Sequence, residues 1–358
     1  MTSVTGEQVV ETGAVVPVGR RSLVPIVGAI VFAIGAALVG LLVGPVHLGL
    51  GAITREALSH VPLLHVHSDM SATDKAILWQ LRAPRVVLGL LVGGMLALAG
   101  GSYQGVFRNP LVDPYLLGVA AGAGLGATLA IAYGGGTVDS YDLLPLAAFL
   151  GAAVGVACST VLGHAGGGSR NPAGLVLAGV TVVAFLTAVQ TFVQQQHTQS
   201  LQEVYSWILG RLGTAGWHDV AISAPYIVIS SAGLIAYRRV LDVLAVGDDE
   251  AASLGVNVRR TRLAVVVFAT IGTAAAVAVS GLIGFVGIIV PHTIRLAIGS
   301  SYRIVLPLSL LVGGGFLVLA DVIARTVVSP AELPIGVVTA FFGAPFFAIV
   351  LRTSRSFS

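Results

Sequence analysis

The chain has 358 residues, of which 56% are apolar and only 10% charged, and 19 Lys and Arg against 16 Asp and Glu leave a net charge of +3. A water-soluble domain covers its surface with about 25% charged residues. A mean hydropathy of +0.94 therefore excludes soluble enzymes and nucleic-acid binders and points to the bilayer.

A bilayer core of about 30 Å needs about 20 apolar helical residues. Ten such runs appear, at about 23–44, 84–105, 115–134, 143–164, 174–195, 219–237, 263–281, 282–299, 304–327 and 334–351. The first follows Arg20 and Arg21, as a secretory signal would. It is too long for a signal core of about 7 to 15 residues, so we read it as an uncleaved first helix behind a polar tail of residues 1–22. Residues 23–358 then form one helical membrane domain, in which abundant glycine lets helices approach closely. The seventh and eighth runs separate at Ser280 to Gly284, where the Gly281, Gly284, Gly287 spacing allows a tight reversal.

Ten spans place both termini on one side. With the N-terminus inside, Arg20, Arg21, Arg108, Arg170, Arg238, Arg239, Arg259, Arg260, Arg262, Arg295, Arg303, Arg352 and Arg355 are cytoplasmic, whereas Arg55, Lys75, Arg82, Arg85, Arg211 and Arg325 are external. The positive-inside rule favours that orientation. Lys75 is the only lysine and lies in SATDKAIL, without the glycines of G-x-x-x-x-G-K-[ST], so the chain has no phosphate-cradling loop of its own. Cys158, the only cysteine, lies in an apolar run and reads as a buried small residue. His60, His65 and His67 read as solvated loop residues rather than a metal site, and His292 as a helix-end residue. No G-x-S-x-G or H-E-x-x-H is present, and no catalytic constellation is expected.

Three polar features stand out. Thr187, Gln190, Thr191 and Gln194 fall at i, i+3, i+4 and i+7 on one face of the fifth span, which suits either hydrogen bonding between helices or a neutral polar pathway for a hydrophilic solute. Asp321 is the one plausible intramembrane acid, and Arg325 lies one turn on, where a helix pairs them. The loop at about 241–256 reads as two short helices broken at Gly247, with Asp248, Asp249 and Glu250 opening the second. Acids favour that position, and Leu244, Val246, Ala251, Ala252 and Leu254 give the loop apolar surface suited either to lying on its own bundle or the membrane surface or to docking a cytoplasmic partner.

The stretches LRAPRVVLGLLVGGMLALAGGSYQGVFRNPLVDPYLLGVAAGAGLGA (81–127), GLIGFVGIIVPHTIRLAIG (281–299) and LADVIARTVVSPAELPIGVVTAFFGAPFF (319–347) resemble the FecCD family. These are the permease subunits of type II ABC importers for vitamin B12, haem and iron siderophores. The resemblance implies an all-α, ten-helix permease that is not itself an ATPase, in a bacterial plasma membrane. It would pair with a second copy or a paralogue, two ABC ATPase subunits that bind ATP and Mg, and an extracytoplasmic substrate-binding protein. It also implies a coupling segment at Gly247, Asp248, Asp249, Glu250, Ala251, Ala252, Leu254 and Gly255, and docking arginines facing outward at Arg82, Arg85 and Arg325. The fifth and tenth helices would line the pathway. Gate residues are not carried over, because the inner end of the fifth helix reads Ser169, Arg170, Asn171, Pro172, Ala173.

A faint repeat relates the second and third spans to the seventh and eighth at an offset of five, which inverts the second copy. The expected function is import of an iron chelate, a ferric siderophore, with cobalamin or haem as alternatives and an ion-coupled carrier as the reading from another class.

Overall fold

The computed structural model describes residues 23–46, 48–59, 69–134, 140–165 and 172–354. The outer-loop histidines at 60, 65 and 67 and the Ser169 to Asn171 stretch lie outside them. The described residues form fifteen α-helices. In chain order these are α1 (Leu23–Leu42), α2 (Leu50–Ser59), α3 (Ala72–Ala76), α4 (Ala83–Phe107), α5 (Val119–Tyr133), α6 (Ser140–Ala165), α7 (Pro172–Gln196) and α8 (Leu201–Ile208). They continue with α9 (Trp217–Ala236), α10 (Arg238–Leu244), α11 (Asp248–Ser253), α12 (Val258–Ser280), α13 (Val286–Ile298), α14 (Tyr302–Thr326) and α15 (Ile335–Ser354).

The ten expected spans correspond to α1, α4, α5, α6, α7, α9, α12, α13, α14 and α15. Among the described residues, seven helices are long and apolar enough to cross a membrane, and α5, α13 and the apolar part of α15 are shorter. The third span shortens because Asp113 Oδ1 accepts from Tyr115 N (2.8 Å) and caps a tight 3-10 turn, Pro114–Leu117, that ends at Gly118 with φ of 88°. The eighth shortens because residues 281–285 are non-helical. There Gly281 has φ of 70°, a conformation natural to glycine, and the Tyr115 hydroxyl both donates to Ile283 O and accepts from Ile283 N, each at 3.1 Å. The second span is longer than its hydropathy suggests. Ser71 caps α3, and a π-helical turn, Ile77–Arg82, joins it to α4 as one helical run, Ala72–Phe107.

α4 forms the centre of the bundle, with Leu88, Met95, Leu98 and Tyr103 fully buried. It packs on α14, α12, α13 and α9. A β-carbon on Gly93 would overlap the Gly313 carbonyl, and one on Gly122 the Gly151 carbonyl. These glycines therefore set how closely α4 meets α14 and α5 meets α6. The inverted repeat is visible in the packing: α4 rests on α13 and α14, and its counterpart α12 rests on α5 and α6. By contrast α1, α6, α7 and α9 turn large apolar side chains outward, including Leu23, Val154, Phe185, Phe192 and Ile229. Such surface is stable only in lipid or against another subunit. Cys158, expected to be buried, is exposed on α6, an apolar surface where a small thiol needs no burial.

Candidate functional site

Two polar assemblies sit at opposite ends of α4. At its N-terminal end lie the C-terminal ends of α1 and α14, joined through three arginines. Arg82 donates to the carbonyls of Leu41 (2.7 Å), Leu42 (2.9 Å) and Val46. The Leu41 and Leu42 carbonyls end α1 without intrahelical partners, and Val46 lies in the turn beyond it. Arg85 Nε donates to Asp321 Oδ2 (2.9 Å) and Nη2 to Asp321 Oδ1 (2.8 Å), while Nη1 and Nη2 each reach Glu332 at 2.9 Å. Arg325 Nη2 donates to Gly40 O (2.6 Å), and its Nε lies 3.6 Å from Asp321 Oδ2.

The expected Asp321–Arg325 pair is therefore present, but its geometry is the weaker one. Arg85, 236 residues away in the chain, holds Asp321 through a two-pronged contact, the stronger form of carboxylate–guanidinium pairing. The three arginines expected to dock a partner are all buried within this chain, as is Asp321, because each guanidinium satisfies helix-end carbonyls or a carboxylate. Glu332, at the end of the loop before α15, is the half-exposed member of the network. It lies within the AELPIG motif, yet sequence reasoning assigned it no role. Its acidic character, seven residues after Arg325, was the available signal.

At the other end of α4, α10 and α11 form the expected pair of short helices, separated by Gly247 with φ of 158°. Leu241, Leu244 and Ala251 bury their side chains against the bundle, whereas Val246, Asp249, Glu250, Ala252, Leu254 and Gly255 remain exposed. The assembly is braced at both ends. Asp242 accepts from Ser301 Oγ (2.9 Å) and Tyr302 N (2.6 Å), and Asp248 accepts from Arg262 Nη2 (2.8 Å) with Arg108 at 3.5 Å. Nearby, Gln104 donates to Gly287 O (3.0 Å) and accepts from Arg295, tying α4 to α13. Asp113, in the turn between α4 and α5, is half-buried, and desolvation pushes its carboxyl up to about 6 against the opposing pull of the Tyr115 N–H. Gln104, Asp242 and Arg295 escaped sequence reasoning, since their partners are distant in the chain.

The polar stripe on α7 divides. Gln190 is buried and donates to Thr128 Oγ1 of α5 (3.2 Å), so it takes the interhelical bonding reading. Thr187 and Thr191 are exposed, with Thr191 Oγ1 donating to Thr187 O (2.9 Å), and Gln194 is half-buried. His292 lies within α13 rather than at its end and meets the Phe346 ring of α15 edge-on at 5.9 Å.

Comparison with known proteins bears on this arrangement. The cobalamin import system permease of Halobacterium salinarum is 43% identical over 283 residues, covering 78% of this chain and 74% of the relative. The hemin transport system permease of Yersinia pestis is 38% identical over 333 residues, covering 88% and 95%. A metal-chelate type ABC transporter, solved in an inward-facing conformation, superposes with a TM-score of 0.79 at 29% identity, covering 92% of this chain and 98% of that one. The chain matches the FecCD transport family over residues 22–353. This integral membrane protein, with its central α4 and the apolar helices around it, belongs to the FecCD transport family of ABC permeases.

Proposed function

We propose that the chain is the membrane subunit of an ATP-driven importer that carries a bulky metal chelate of low net charge, a ferric siderophore in the first instance. Its partners are a second copy or a paralogue, two ATPase subunits carrying ATP and Mg, and an extracytoplasmic binding protein. The exposed α10–α11 surface is the natural seat for the ATPase: Val246 and Leu254 offer apolar contact, and Asp249 and Glu250 offer charge. The bracing of Asp242 and Asp248 onto α14 and α12 would carry movement of that surface into the bundle. The arginine-rich face is cytoplasmic, in a bacterial plasma membrane, with both termini on that side.

The observation that carries the cargo class is the chemistry of the two helices assigned to the pathway. Residues 172–196 contain no ionisable side chain, and α15 contains none before Arg352. Thr187, Thr191, Gln195 and Gln196 are exposed on α7, and Phe341 and Phe342 on α15. Amides, hydroxyls and rings accommodate a chelate whose own ligands screen the metal. A bare carboxylate would find no counter-charge there, and burying an unpaired charge is expensive. A corrinoid is the second reading, favoured by the 43% identity to a cobalamin permease; haem, with its propionates, ranks below both.

An ion-coupled carrier is disfavoured because Asp321 is held by Arg85 and Arg325 and so is poorly placed to relay protons. The test is uptake into proteoliposomes by the assembled complex with its binding protein, offered hydroxamate siderophore, cobalamin and haem, with and without ATP. ATP-dependent uptake of the siderophore is expected. Gradient-driven uptake without ATP would overturn the reading.

A further inference from the structure

Arg85 holds two carboxylates that differ in one respect. Asp321 belongs to α14, is 4% exposed and is also near Arg325, so it is fixed within the bundle. Glu332 belongs to the loop before α15, and its side chain is 42% exposed. The Arg85 side chain is only 10% exposed, so Glu332 is the end of the pair that water screens, and it is the more replaceable of the two carboxylates. Beside it lies a cavity of about 340 Å³ lined by Arg85, Arg211, Gly213, Thr214, Asp321 and Glu332, among others. Arg211 forms no ion pair among the described residues. The cavity thus offers one free cation and a second whose outer edge is held by a replaceable acid.

We infer that Glu332 is a placeholder for a carboxylate presented by the extracytoplasmic binding protein. The incoming acidic side chain takes the outer edge of Arg85 together with Arg211, and Glu332 leaves with its loop. Asp321 stays, keeping the Arg85 charge compensated throughout the exchange. The inference rests on the docking part of the proposed function and adds a mechanism to it.

The loop position gives the exchange a consequence. Leu333 N donates to Ala324 O (2.9 Å), and Ile335 and Gly336 donate to the carbonyls of Gly210 (3.3 Å) and Leu209 (3.0 Å). Glu332 is therefore three residues from the start of α15, whose first turn hangs from the α8–α9 connection. Release of Glu332 loosens one of the few tethers on a helix assigned to the pathway. Docking is then communicated along the outer face, without first passing through the buried core.

Gly213 supplies an independent handle. A β-carbon there would lie 2.7 Å from Glu332 Oε2, so Gly213→Ala pushes the Glu332 carboxylate away without altering any charge. The experiment measures the affinity of the binding protein for the permease–ATPase complex in lipid nanodiscs. Removing this internal competitor predicts that Glu332→Gln tightens binding about two- to fivefold, fivefold corresponding to about 1 kcal/mol. Gly213→Ala acts in the same direction, the double variant adds little to either, and Arg211→Gln weakens binding. If Glu332→Gln and Gly213→Ala leave affinity unchanged or lower it while Arg85→Gln still weakens it, the exchange is wrong and docking at Arg85 stands. If Arg85→Gln and Arg211→Gln both leave affinity unchanged, the docking reading itself falls.

Discussion

Asp321 accepts from Arg85 at 2.8 and 2.9 Å with both residues buried, and that geometry fixes what its neutralisation would do. Breaking a buried pair leaves an uncompensated charge and costs about 3–5 kcal/mol. Asp321→Asn is thus expected to lower the thermal unfolding temperature of the detergent-purified protein, and restoring the carboxylate with Glu should recover part of the loss. An unchanged midpoint would show that the pair contributes nothing to the fold. Asp113 gives a pH signature. Its folded-state pKa of about 6 lies above the ordinary value of 3.8, so the folded chain binds this proton more tightly than the unfolded one. The resulting stability is fully present below about pH 4 and lost as pH rises through about 6. Asp113→Asn keeps an oxygen to cap Tyr115, and the variant should show a flatter stability profile than the parent between pH 4 and 7.

At the scale of elements, the residue capping α11, Leu254, and Val246 in the turn before it present exposed apolar side chains, while Ala251 within α11 is anchored in the core. Val246→Asp and Leu254→Asp should leave the permease folded but abolish co-purification of the ATPase subunits; co-purification at parental level would place the ATPase elsewhere. This segment was legible in the sequence because its signals are local: a glycine break, acids at a helix start, and apolar residues outside any span. The break between α12 and α13 was legible for the same reason. The contacts of Arg85 with Asp321 and Glu332 were not, because pairing across 236 and 247 residues leaves no mark in local periodicity. Nor was the upstream extension of α4 into α3, since hydropathy reports the bilayer core and SATDKAIL is too polar to register. Gln190 and Thr191 share a sequence stripe, yet only the closeness of α5 decides that Gln190 turns inward.

For the whole molecule, the close approaches at Gly93–Gly313 and Gly122–Gly151 set the spacing of the bundle. Gly93→Leu should prevent assembly, read as loss of monodisperse protein on gel filtration, whereas a similar substitution at the open Gly28 should have little effect. Partner choice in the bundle follows the inverted repeat, so α4 and α12 form its inner frame while α7 remains largely uncovered. The length of the central helical run sharpens this contrast. Ala72–Phe107 comprises 36 residues, about 54 Å at 1.5 Å per residue, against a hydrocarbon core of about 30 Å. The run is thus longer than that core is thick, and it carries Arg82 and Arg85 towards one end and Gln104 and Phe107 towards the other, where α10 packs against it. The α4 part, buried along nearly its whole length, is expected to move as one rigid piece. Labels placed near the two ends of α4 should keep a constant separation through the transport cycle, whereas labels on α7 and α15, the helices with free faces, are expected to move relative to it.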